Sequence, residues 1–138
     1  MGTISRDKAV FQHDWNDDSW TSGTPTTAAE TLSGTTESLT GTIDCESYWS
    51  VQITVDIDHN ASPTDEVEIH LYGGAVSGAM DDLPFAVQIA DHDVDPCQLT
   101  ILVPDPPAYL RVGFVQTGST DSHEISSVHV VGFTGVTA

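Results

Sequence analysis

Between Tyr48 and Ile57 the chain alternates with a period of two. Trp49, Val51, Ile53, Val55 and Ile57 fall on one parity, and Ser50, Gln52, Thr54 and Asp56 on the other. Successive side chains of a strand point to opposite faces, so the pattern predicts a long strand with one apolar and one wet face. β-Branched and aromatic residues dominate it, as suits a half-buried pleated surface. The same alternation predicts further strands over Glu66–Tyr72, Phe85–Ala90, Cys97–Val103, Tyr109–Val115 and Glu124–Phe133. A first strand is expected over Ala9–Trp15, and one or two short ones within Thr21–Thr42. The predicted core comprises Trp49, Val51, Ile53, Val55, Val67, Ile69, Leu71, Phe85, Val87, Ile89, Leu99, Ile101, Val112 and Phe114.

Turn chemistry separates these segments. Asn16-Asp17-Asp18-Ser19, the polar run Asp58–Asp65, the pair Gly73-Gly74, Asp91–Pro96 and the Gly-Ser-Thr loop from Gln116 to Ser122 are all breakers. Pro104-Asp105-Pro106-Pro107 ends a strand because proline lacks a ladder donor. No segment sustains apolar residues at helical spacing. About eight evenly spaced strands with turns between them predict an all-β fold, a two-sheet antiparallel β-sandwich with the jelly roll as its best match. An immunoglobulin-like sandwich is the rival, but no suitably spaced cysteine pair frames Trp49. The expected division is an N-terminal arm over residues 1–8 and one sandwich domain over 9–138.

Composition sharpens this picture mainly through charge. Twenty-one acids face three bases, for a net charge of −18. Two bases, Arg6 and Lys8, lie in the expected arm, and Arg111 is far downstream. Nucleic-acid binding needs clustered cations, so no nucleic-acid partner is expected. No apolar run approaches the roughly 20 residues of a membrane span, so no membrane partner is expected either. The N-terminal residues lack a secretory apolar stretch, and assembly in a cytoplasm is the expectation. The cysteines Cys45 and Cys97 cannot complete a four-ligand zinc site. Cys97 shares parity with Leu99, Ile101 and Val103 and reads as a small buried hydrophobe, although a Cys45–Cys97 bridge is open.

The candidate chemistry is sparse. Asp56–Asn60 and Asp91–Asp95 open like calcium loops, but Ala61 and Val67 fail the first pattern at its sixth and twelfth places, and Pro96 and Leu102 fail the second. The histidines at 13, 59, 70, 92, 123 and 129 form no metal-ligand spacing on a helix. No G-x-S-x-G elbow occurs, and no carboxylate pair is singled out. Asn60-Ala61-Ser62 is formally a glycosylation acceptor, but Pro63 follows it. No catalytic residue, metal or cofactor is expected, and the chain reads as a non-enzyme. Arg6, Lys8, Trp15 and Trp20 are the candidate partner contacts.

Three runs carry a resemblance. Asp58–Val67, Val103–Gly113 and Gln116–His123 resemble small structural proteins of tailed-phage virions, most of all capsid cement (decoration) proteins, over roughly residues 48 to 123. The resemblance implies a jelly roll on the capsid exterior that binds the major capsid protein lattice, acts as a homodimer or lattice oligomer, stabilises the head and has no catalytic residues. The alternative is a carbohydrate-binding or receptor-binding sandwich of a tail fibre, since jelly rolls host lectins as well as capsid proteins. Trp15, Trp20, Tyr48 and Tyr72 gathered on one concave patch would favour that alternative.

Overall fold

A computed structural model describes residues 3–12, 29–60, 62–76, 78–94 and 96–137; for 3–12 and 134–137 only the backbone pairing is described. Eleven strands occur among these residues. They are β1 (Thr3–Gln12), β2 (Glu30–Thr31), β3 (Ser38–Leu39), β4 (Ile43–Asp44), β5 (Ser50–Asp58), β6 (Val67–Val76), β7 (Ala79–Met80), β8 (Ala86–Ala90), β9 (Cys97–Pro104), β10 (Tyr109–Gln116) and β11 (Glu124–Thr137). The five-stranded sheet runs β1-β11-β5-β9, with β2 also on β11. The six-stranded sheet runs β3-β10-β6-β7, with β4 also on β10 and β8 also on β6. All pairings are antiparallel. From β8 to β11 the chain passes six, five, six, five between the sheets. That interleaving is the double Greek key of a jelly roll.

The core lies between the sheets. Val51, Ile53, Val55 and Ile57 of β5 meet Val67, Ile69 and Leu71 of β6 and Leu110, Val112 and Phe114 of β10, all buried. Leu99 and Ile101 are half-buried and pack against this cluster. The two cysteines are buried and not bridged to each other, and burial pushes the Cys45 thiol up to about 12, so it stays protonated and inert. In β11 a register shift between Ile125 and Ser127 inserts one residue. This bulge lets Ile125 and Val128 both face the core despite opposite parity.

Four predicted core residues are exposed instead: Trp49 at 43%, Phe85 at 51%, Val87 at 53% and Ile89 at 54%. Trp49 precedes the strand, which starts at Ser50, so the alternation does not govern it. In β8 the register sets Ala86, Gln88 and Ala90 opposite Leu71, Ile69 and Val67, the inward residues of β6. The larger set on β8 therefore faces outward, because alternation divides a strand into two faces without saying which faces in.

The expected arm also differs. β1 starts at Thr3, runs through the proposed boundary at residue 8, and pairs with β11 from Thr3↔Thr137 to Gln12↔His129. Gly73-Gly74, expected to end a strand, lies inside β6. A Cβ on Gly74 would stand 2.7 Å from the Met80 sulfur and one on Gly73 3.1 Å from Pro107, so the missing side chains let β7 and the proline loop cross close over the strand.

Candidate functional site

The outer face of the six-stranded sheet carries an open cleft of 520 Å³, lined by Glu37, Leu39, Tyr72, Gly78, Met80, Asp81, Asp82 and Arg111. β6 and β10 supply its floor, where Arg111 sits opposite Tyr72 and Gly113 opposite His70. Gly78, Met80 and the following Asp81 and Asp82 supply a wall, held by Asp81 N–H donating to the Gly73 carbonyl at 2.8 Å. Gly113 leaves room for Glu37: a Cβ there would collide with the end of its carboxylate. Glu37 therefore lies flat on the sheet, where Oε2 accepts from Tyr72 O–H at 2.9 Å and contacts His70 Nδ1 at 3.2 Å. His70 Nε2 reaches Glu68 Oε2 at 3.0 Å, so the ring bridges two glutamates. Burial first, and then the Glu37 carboxylate, push the Tyr72 phenol up to about 12, which keeps it a donor.

Arg111 is the pivotal side chain. Its Nε–H donates to the Thr40 carbonyl at 2.7 Å, which fixes the guanidinium at the cleft. Its Nη groups make no hydrogen bond or ion pair with a described residue, although Glu37, Asp81 and Asp82 share the cleft. Oriented donors thus stand near carboxylate acceptors and an aromatic ring, a set that suits a ligand rich in hydroxyl groups.

A second polar cluster is sealed between loops at one end of the sandwich. Asp121 Oδ2 accepts from the backbone N–H of Thr64 at 2.7 Å and of Asp65 at 2.6 Å, and Oδ1 accepts from Asn60 Nδ2 at 3.1 Å. Asp65 Oδ2 accepts in return from the N–H of Thr120 and Asp121, each at 3.0 Å. His123 Nε2–H donates to the Asp65 carbonyl at 2.9 Å, and His123 N–H donates to Gln116 Oε1 at 2.8 Å. The backbone donors lower Asp121 to about 2 against the opposing effect of burial. This cluster holds Asn60, so the formal glycosylation acceptor is a structural residue here.

Among the described residues, the carboxylates of the two calcium-like runs do not gather around one point. Asp56 Oδ2 accepts from Ser127 Oγ at 2.6 Å on the sheet, while Asn60 belongs to the sealed cluster. Ligand atoms of Glu66, Asp91 and His92 lie within 4.8 Å of one another. Yet His92 N–H donates to Glu66 Oε2 at 2.7 Å, which already accounts for the group as a loop closure.

On the five-stranded sheet, the exposed Trp49 and Leu102 and the half-buried Phe133 form an apolar patch beside Ser50 and Gln52. The Trp49 and Phe133 rings are 6.2 Å apart at 46°.

Of the expected partner contacts, Arg6 and Lys8 lie in β1, whose side chains are not described, and Trp15 and Trp20 lie outside the described residues. Tyr48 and Tyr72 are not on one patch. Tyr48 occupies the space a Cβ on Gly132 would need, whereas Tyr72 lies in the cleft. The sequence reading missed the cleft residues Glu37, Asp81, Asp82 and Arg111, which come from three separate stretches.

No protein-family model matches the chain, and no curated protein matches it. Among solved structures, it is similar to the CBM22-1–GH10 modules of Clostridium thermocellum endo-1,4-β-D-xylanase 10B complexed with xylohexaose (TM-score 0.49, 7% identity), covering 77% of this chain and 24% of that one. It is also similar to a xylan-binding module, CBM15 (TM-score 0.48, 9% identity, 96% of each chain), and to a CBM4 structure (TM-score 0.41, 11% identity, 99% of this chain and 94% of that one). The chain thus spans about a quarter of the xylanase structure.

Proposed function

We propose that the protein is a non-catalytic binding module that takes carbohydrate in the cleft on the six-stranded sheet. One observation carries this reading: Arg111 is held by Thr40 with its Nη donors uncommitted among described residues, beside three carboxylates and the Tyr72 ring. Sugar hydroxyls both donate and accept, so they complement a mixed donor and acceptor lining, and a pyranose face packs on an aromatic ring. Three carboxylates against one guanidinium repel acidic sugars, which makes a neutral glycan the fitting ligand. Titration calorimetry against neutral oligosaccharides, with an oligouronide as control, tests the proposal. Binding is expected to weaken by at least about tenfold in Arg111→Ala, as for loss of charged hydrogen bonds. Equal binding by that variant, or none by the native chain across neutral glycans, overturns the reading.

Capsid decoration is the second reading, favoured by the apolar patch of Trp49, Leu102 and Phe133, whose composition suits a protein contact. A sandwich bridging subunits on a lattice stabilises the shell by interface that exists only after assembly, as a homodimer or lattice oligomer on the capsid exterior. Loss of attachment to undecorated capsids in Trp49→Ala but not Arg111→Ala supports it; attachment unaffected by Trp49→Ala opposes it.

A further inference from the structure

Strand β8 joins two properties that sheet proteins normally keep apart. It pairs with β6 on one side, and its other edge has no partner strand among the described residues. Exposed strand edges template pairing with another chain and are usually blunted by charge, proline or a bulge. From Phe85 to Ala90 none of these devices is present. Phe85, Val87 and Ile89 stand outward, each more than half exposed, and Leu83 before them is 79% exposed. Acids frame this row: Asp81 and Asp82 precede it, Asp91 and Asp93 follow it, and Glu68 lies opposite Ile89.

We infer that the free edge of β8 is a docking site for an extended segment of another protein that adds as a strand. The segment alternates apolar side chains and carries lysine or arginine at both ends. Backbone hydrogen bonds supply the pairing, the apolar row supplies matching side-chain contacts, and the acids at each end select the flanking cations. Charge complementarity decides between occupants. A second copy pairing antiparallel at this edge would bring Asp81 and Asp82 of one molecule towards Asp91 and Asp93 of the other, between bodies of −18 each. Asp81 and Asp82 also line the carbohydrate cleft, but no residue of β8 does, and the inference does not depend on that reading.

The test uses the full chain and a synthetic nonapeptide, Lys-Lys-Val-Thr-Val-Thr-Val-Lys-Lys, with a Glu-ended counterpart. The Lys-ended peptide is expected to bind, to protect the amides of 86–90 from hydrogen exchange, and to lose at least about tenfold in affinity between 50 and 500 mM salt. The double variant Val87→Thr/Ile89→Thr, exposed and still β-branched, should keep its melting temperature and lose at least about tenfold in affinity. Equal binding of the Glu-ended peptide, undiminished binding by the double variant, or no binding of the Lys-ended peptide overturns the inference. Self-association of the chain through β8 that strengthens with salt also overturns it, in favour of a second copy.

Discussion

Two polar clusters of similar composition sit in this sandwich, and they have opposite characters. The loop cluster around Asp121, Asp65 and His123 is buried, and its carboxylates accept mainly backbone N–H groups. The sheet-face cluster around Glu37, His70, Tyr72 and Arg111 is half-exposed and built mostly from contacts between side chains. Backbone amides cannot turn away, so the first cluster is committed to holding loops together. Side chains meeting over a cleft can exchange partners with a ligand. The difference separates the structural polar site from the proposed binding one without reference to residue type.

The comparison yields four expectations, in falling order of effect. Asp121→Ala should be the most damaging, because the N–H groups of Thr64 and Asp65 lose their acceptor. A fall in melting temperature on the order of 10 °C by circular dichroism is expected. A fall no larger than that of a surface substitution would mean that water replaces the carboxylate there and that the cluster is not sealed.

The pH response of Asp121 comes next. Its folded value, about 2, lies below the ordinary 3.8, so its contribution is present in full above the ordinary value and is lost as pH falls through about 2. The melting-temperature difference between the native chain and Asp121→Asn should shrink from pH 4 towards pH 2. A constant difference over that window would show that ionisation of Asp121 is not what stabilises the loops.

Glu37→Gln probes the open cluster. It should shift the melting temperature by only a few degrees, as a part-exposed substitution, while weakening neutral-glycan binding by about three- to tenfold through a lost charged acceptor. A large loss of stability with intact binding would reverse the roles assigned to the two clusters.

Gly113→Ala is the gentlest. The added Cβ meets the flexible end of Glu37 and a Leu39 methyl, the far ends of two side chains that must shift to admit it. Stability should change by about 1 kcal/mol or less, with a twofold or smaller loss in glycan affinity by the same calorimetry, an estimate on the order of a few tenths of a kcal/mol. A loss as large as that of Arg111→Ala would give the floor a stricter shape requirement than the cleft's openness suggests.

Much of the framework is legible in the residues alone. β5, β6, β9 and β10 follow the alternation of their side chains, because one face of each must leave water and the period of two marks which set does. The turn residues likewise mark most strand ends. The candidate site was hardly legible. Glu37, Asp81, Asp82 and Arg111 look like solvated acids and a lone cation until β3, β7 and β10 are laid side by side.

What alternation determined, then, was the class of fold and the membership of the core in its central strands. Tertiary structure decided the rest, for identifiable reasons. Register chose which face of β8 looks outward, since the apolar set could have served either side. Backbone pairing drew Thr3–Gln12 into the sheet, and ladder hydrogen bonds do not require an apolar pattern. Loop closure brought Asn60 to Asp121 across 61 residues and turned two ordinary-looking loops into one sealed cluster. Each of these outcomes depends on contacts between distant parts of the chain, which a pattern of near neighbours does not encode.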